Sequence, residues 1–281
     1  MSQTSSIQLK GQLVSLDKPL VMGILNVTPD SFFSGSRFQT EQEIINRAKT
    51  IIDEGGDIID LGAYSSRPDS IDISVEQEKE RLDFALKILK DHFPKAVYSV
   101  DTFRAEVAEH CVLKYGVDII NDISGGGLDD NMFKTVADLQ VPYVMMHMRG
   151  TPQTMMQNTS YENLLPEILK YFAEKTDELY RLGVNDVIID PGFGFSKTLD
   201  QNYELMNNLE AFKIFQAPIL VGISRKSMIY KLFGTTPSES LNGTSVLNTL
   251  ALMKGANILR VHDVREAREA VSIVSKTIES I

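Results

Sequence analysis

Two carboxylates, two carboxamides and several cations stand in this chain where short β-branched runs end. Asp190 closes Val187-Ile-Ile-Asp190 and is followed at once by Pro191-Gly-Phe-Gly-Phe-Ser-Lys197. Asp101 follows Val97–Val100; Asn26, Asn121 and His147 end or follow three other runs. Ser65, Ser66 and Arg67 follow one more, Ser224, Arg225 and Lys226 another, and Arg260 and His262 end the last. A polar residue often ends a strand merely to meet solvent, so no single tip says much. Their joint convergence implies a site.

The residue types ask for two different guests. Arg260 and His262 are two apart, so a strand points both to one face. With Arg67 they form a cationic cluster, and guanidinium groups bind phosphate oxygens bidentately. The next helix begins just after His262, and its first N–H groups add to an anion site. The competing reading pairs Arg260 with Asp263 or another acid. Asp101, Asp190 and Asn121 need donors instead, because a buried carboxylate without them is costly. A heterocycle with an amino-pyrimidinone edge offers two parallel N–H groups to one carboxylate. Lys226 then offsets part of the acid charge and donates to the ring, unless it forms a structural ion pair with Asp190.

Eight strand-like runs, each followed by a helical pattern, must position these tips. Parallel neighbours need crossovers. The expected fold is therefore α/β, a (β/α)8 TIM barrel with a short N-terminal β-hairpin. One domain is expected over 1–281, with the hairpin in 1–19 and the barrel in 20–281. Ile7–Leu16 alternates about Gly11 and is expected to cap one end. A doubly wound sheet is the alternative, but no GxGxxG follows the first strand. Gly125-Gly126-Gly127 is expected to be a flexible turn. Ser74 and Gln77 form a capping box before a helix. Asp60, inside its strand, reads as a buried structural acid, and Asp122 alternates away from Asn121. The methionines at 145, 146, 148, 155 and 156 read as apolar filler, with Met146 packed against a ring. His147 alternates with Met146 and Met148 and so faces the other way. The long loops Thr28–Thr40 and Tyr64–Ile73 are expected to act as lids.

Composition narrows the partners. There are 28 basic and 38 acidic residues, a net charge of −10, so no nucleic acid or anionic membrane is expected to be held by bulk charge. One cysteine, Cys111, excludes an internal disulfide and fits a cytoplasmic protein. No signal peptide or membrane span is expected.

The motifs, taken together, resemble those of the dihydropteroate synthase family across nearly the whole chain. They are Gly23–Phe32, Ser65-Ser-Arg-Pro68, Ser99-Val-Asp-Thr102, Ile120–Gly125, Met146-His-Met148, Asp190–Phe195, Ser224-Arg-Lys226 and Arg260-Val-His-Asp263. The resemblance implies that 6-hydroxymethyl-7,8-dihydropterin diphosphate is joined to 4-aminobenzoate, giving 7,8-dihydropteroate and diphosphate. It implies that Ser66, Asp101, Asn121, Met146, Asp190, Lys226, Arg260 and His262 bind the pterin diphosphate. Ser66, Arg67, Pro68, Phe195, Ser224 and Lys226 border the aminobenzoate, which sulfonamides mimic. Arg67, Lys226, Arg260 and His262 serve catalysis, Asn26 is the ligand to Mg2+, and the protein is expected to be a homodimer through its last helices. Two departures stand out: Tyr64 and Ser66 in Ala63–Asp69, where the family often has Gly-Glu-Ser-Thr-Arg-Pro-Gly, and Ser196, where it often has Gly. Both are expected in mobile loops. The competing readings are a pterin-binding methyltransferase domain, a Schiff-base barrel using Lys226, and a non-catalytic pterin binder.

Overall fold

The computed structural model describes residues 6–27, 40–65 and 72–280. A two-stranded hairpin, β1 (Ser6–Leu9) and β2 (Gln12–Ser15), comes first. Lys10 and Gly11 both take positive φ, the geometry of a tight two-residue hairpin turn. Eight parallel strands follow: β3 (Leu20–Asn26), β4 (Ile58–Gly62), β5 (Val97–Asp101), β6 (Ile119–Asp122), β7 (Tyr143–Met146), β8 (Val187–Asp190), β9 (Leu220–Val221) and β10 (Ile258–Val261). Each pairs with the next in chain order, β10 pairs with β3, and a single bridge between Ile189 and Ile219 closes the ring at β8 and β9. The expected barrel and hairpin are both present.

Helices α1 (Glu41–Asp53), α2 (Val75–His92), α3 (Ala105–Tyr115), α4 (Met132–Leu139), α5 (Leu164–Arg181), α6 (Leu199–Asn207), α7 (Ser227–Phe233), α8 (Leu241–Met253) and α9 (Val264–Ile278) surround it. Reciprocal capping boxes start three of them, at Thr40/Glu43, Ser74/Gln77 and Thr198/Gln201. Each satisfies two N–H groups that the first turn leaves orphaned.

Alternation along the strands sorts the barrel into layers. Outward residues such as Val21, Ile59, Val100, Ile120, Ile189 and Leu259 pack on the helices. Inward, the lowest layer is apolar: Met22, Ile58, Ile119, Val144, Ile188, Leu220 and Ile258. Ile7, Leu9 and Leu16 of the hairpin segment are buried against that layer. Full burial of each contributes about 1.5–3 kcal/mol. Gln8 N–H donates to Asp186 Oδ2 at 2.9 Å, tying the hairpin to the start of β8. Two residues further along, the same face turns polar on five of the strands: Asp60, Ser99, Asn121, Asp190 and Arg260. The next step holds Asn26, Asp101, Ser224 and His262. The strands thus carry chemistry at their C-terminal ends and stability at the other.

Candidate active site

Arg260 is the centre of the polar layer. Its Nε donates to Asp60 Oδ2 and its Nη2 to Asp101 Oδ2, both at 2.6 Å. Asn121 Nδ2 donates to the same Asp60 oxygen at 3.2 Å, which leaves the amide oxygen of Asn121 for a guest. Asp60 is fully buried, and its Oδ1 has no hydrogen-bond partner among the described residues. Asp60 therefore belongs to the site's framework rather than to structure alone. Burial pushes the Asp101 carboxyl up to about 7; Arg260 opposes the shift, and the neighbouring acids Asp60 and Glu78 add to it. Against its own burial, Arg260 is held firmly charged by Asp60 and Asp101. Asp263 pairs with Arg225 instead, through contacts of 3.0 and 2.5 Å.

On the other side stands Asp190. It is 5% exposed, and its Oδ1 accepts the Gly192 N–H at 2.8 Å. Burial raises its pKa, with Lys226 the main opposing charge. Lys226 makes no ion pair with Asp190 among the described residues; its Nζ donates to the Phe193 carbonyl at 2.6 Å and lies 4.6 Å from the centre of the Phe195 ring. Burial lowers the Lys226 pKa to about 8, while Asp190 pulls it back up. Gly222 borders these groups: a Cβ there would meet Arg260 Cβ at 3.8 Å and Lys226 Nζ at 3.9 Å, ordinary contact distances.

Ser224 and His262 form a second unit. Ser224 Oγ accepts the His262 backbone N–H at 3.1 Å and lies 3.1 Å from His262 Nδ1. The Ser224 hydroxyl keeps its proton while it accepts the first bond, so it can donate to Nδ1 and leave the hydrogen on Nε2. Burial, then Arg260 and Arg225, push the imidazole down to about 4. At neutral pH His262 is thus a neutral N–H donor. The expectation of a three-membered cationic cluster is corrected accordingly: Arg260 is neutralised by two acids and His262 is uncharged. Its third member, Arg67, lies outside the described residues with Ser66 and Pro68. Most of the Thr28–Thr40 loop and much of Tyr64–Ile73 also lie outside them. Arg47 of α1, which sequence reading passed over, joins the ends of β3 and β10 by donating to the Ile24 carbonyl at 3.1 Å and the His262 carbonyl at 2.8 Å.

The rim above is apolar on one side. Ile123, Met146, Met148 and Met155 cluster there with Phe103, Leu128 and Phe195. His147 faces away, as expected, its ring edge-on to Tyr171 of α5 at 4.9 Å. The loop after β8, expected to be mobile, is packed and hydrogen-bonded in this structure. Ser196 is fully buried with φ +47°; its Oγ accepts the Arg149 N–H at 3.0 Å, and its carbonyl accepts Tyr161 Oη at 3.0 Å. The left-handed backbone is what favours Gly at such a position. Tyr64 lies edge-on to Phe103 at 4.9 Å, and its hydroxyl accepts Gln153 Nε2 at 3.0 Å. The triple-glycine turn is likewise held, because Asp122 accepts from Ser124 N–H, Ser124 Oγ, Gly126 N–H and Tyr143 Oη at 2.7–2.8 Å.

Comparison with known proteins gives a consistent picture. Residues 22–262 match the family described as "Pterin binding enzyme". The dihydropteroate synthase of Escherichia coli is 38% identical over 273 residues, covering 96% of each chain. A Yersinia pestis dihydropteroate synthase solved with a sulfonamide drug superposes with a TM-score of 0.91 at 34% identity, covering 98% of this chain and 100% of the other. The Thermus thermophilus enzyme in complex with 4-aminobenzoate superposes at 0.86 with 35% identity, covering 97% and 99%. Among the described residues, no helix is long and apolar enough to cross a membrane.

Proposed function

This chain belongs to the pterin-binding enzyme family, and from that premise we propose that its rim makes 7,8-dihydropteroate, joining 6-hydroxymethyl-7,8-dihydropterin diphosphate to 4-aminobenzoate and releasing diphosphate. One arrangement carries the reading: Asp190 and Asn121 share the layer of Arg260, Asp101 one step along is bonded to that arginine, and Lys226 Nζ stands beside them 4.6 Å from the centre of the Phe195 ring. Asp190 Oδ1 keeps a lone pair beside its bond to Gly192, so both oxygens take the two N–H groups of the amino-pyrimidinone edge. Asn121 offers its amide oxygen, and Lys226 donates to the ring. Met146 packs on its face, and Asp101 completes the polar wall. Ser66, Arg67, Pro68, Phe195, Ser224 and Lys226 border the aminobenzoate, where a sulfonamide would also sit.

The methylene C–O bond breaks first, and its electron pair leaves with the diphosphate. The electron-rich pterin holds the resulting cation. The arylamine lone pair then forms the C–N bond, and the amine proton passes to solvent. The protein supplies no nucleophile; it fixes the ring and meets the departing charge with Arg67, Arg260 and the His262 N–H. Diphosphate beside His262 raises the imidazole pKa, and Nε2–H donates in either state.

The donor set fits a Mg2+ that arrives on the diphosphate. Asn26 offers one hard oxygen, 2.9 Å from the point a Gly62 Cβ would occupy, so the absence of that side chain leaves it room. Mg2+ commonly combines one or two protein oxygens with phosphates and waters. When bound it would offset the charge of the leaving group. Purified protein with both substrates and Mg2+ is expected to form dihydropteroate and diphosphate in equal amounts, slowing about 100-fold in excess EDTA. Full speed in EDTA removes the metal from the scheme, and absence of product removes the reaction.

Self-association belongs to the same reading. Val246, Leu250 and Met253 of α8 and Ile273 of α9 are exposed and apolar. They form the face of a homodimer through the last helices. Sedimentation velocity is expected to give a dimer, converted to monomer by Val246→Glu with Leu250→Glu; a wild-type monomer at micromolar concentration rejects the face.

A further inference from the structure

Lys197 is the most deeply buried cation that the proposed reaction leaves unused. It is 2% exposed and makes no ion pair among the described residues. Its Nζ donates to the Gly192 carbonyl at 2.9 Å and the Phe195 carbonyl at 3.1 Å, and lies 3.1 Å from His147 Nδ1. An ammonium has three donors, and here it meets three acceptors. His147 suits this pairing. Burial, then Lys197 and Arg149, push the imidazole far below its usual range, so Nδ1 is free to accept. Burial pushes the Lys197 pKa down to about 7; Asp190 from β8 favours the ammonium, and Lys226 and Arg149 oppose it.

The clamp spans the turn whose two ends serve different substrates. Asp190 is held by its strand, paired in register with Met146, while its carbonyl accepts the His147 N–H at 3.0 Å. Phe195 has no strand to hold it. Its backbone is fixed by the Phe195 N–H bond to the Gly192 carbonyl at 3.2 Å and by Lys197. Gly192 itself has φ +75°, and a Cβ there would collide with the His147 carbonyl, so the turn already sits tight against β7.

We propose that Lys197 is a positioning residue of the synthase reaction: its ammonium clamps the Gly192 and Phe195 carbonyls to His147 and so sets the Phe195 wall for the aminobenzoate. This rests on the synthase reading above, and activity of the wild-type protein tests that reading separately. Lys197→Met keeps the stem and removes every donor; Lys197→Gln restores a shorter donor. Steady-state kinetics should show the KM for 4-aminobenzoate raised about tenfold in Lys197→Met and by less in Lys197→Gln. The pterin diphosphate KM and kcat per folded enzyme should stay within about threefold of wild type. A merely structural lysine lowers the folded fraction and leaves both KM values unchanged. That result overturns the proposal, as does an equal rise in both. Should both variants fail to fold, His147→Phe is the deciding variant, because it removes one acceptor of three. A selective rise of about threefold in the aminobenzoate KM supports the clamp, and no rise rejects it.

Discussion

Asp190→Asn is expected to lower kcat/KM for the pterin diphosphate about 1,000-fold with stability unchanged or slightly raised. The structure decides which way the new amide points. The Gly192 N–H at 2.8 Å still needs an acceptor, so Asn keeps its oxygen there and turns its NH2 toward the guest. Two charge-assisted bonds to the amino-pyrimidinone edge are lost, each worth about 1.5–3 kcal/mol, and a donor now faces donors. Together these amount to roughly 4 kcal/mol, the factor stated. The fold gains if anything, because burial already disfavours the Asp190 charge. Steady-state kinetics with thermal unfolding checks both parts. Turnover within tenfold of wild type would take Asp190 out of ring recognition.

The second large effect is on the fold as well as the reaction. Arg260→Met is expected to cost about 3–5 kcal/mol of stability and to abolish measurable synthesis. It leaves Asp60 and Asp101 buried side by side without their shared cation. Asp101 sets the pH dependence. Its folded pKa of about 7 lies above the ordinary carboxylate value, so its protonated form favours the fold. That contribution is present below pH ~4 and is lost as pH rises through 7. Arg260 opposes the upward shift, so deleting it steepens the loss. Urea denaturation should show the deficit of Arg260→Met growing from pH 5 to pH 8. Adding Asp60→Asn should recover part of the stability and none of the turnover. A deficit that shrinks with rising pH would mean the two acids do not depend on Arg260.

The barrel was readable because its signals are local. Three helices carry their own capping boxes, and β3, β5, β6 and β8 end where Asn or Asp interrupts an apolar run. Strand parity also placed Asp122 and His147 away from the mouth and Met146 toward it. Asp60 was not readable as part of the site, although Gly62, two residues on, faces the same interior. What gives Asp60 its role is Arg260, 200 positions away, and nothing near either residue announces the other. Lys197 was hidden for a related reason. A lysine after a loop reads as solvated, and only the folded turn shows that Gly192, Phe195 and His147 replace its water. The neutral state of His262 comes first from its burial and then from Arg260 and Arg225, and burial shows only in the fold. Pairing across the ring is set by closure, and closure has no local signature.

The hairpin at the foot of the barrel has a consequence for traffic. With Ile7, Leu9 and Leu16 stoppering the bottom layer, the interior is a cup rather than a tunnel. Whatever reaches the depth of Asp190 came in past Asn26, Asp101, Ser224 and His262, and must go out the same way. A second molecule seated at that height would shut the first one in, so the proposed reaction requires the pterin to enter before the aminobenzoate and the product to withdraw with its ring end last.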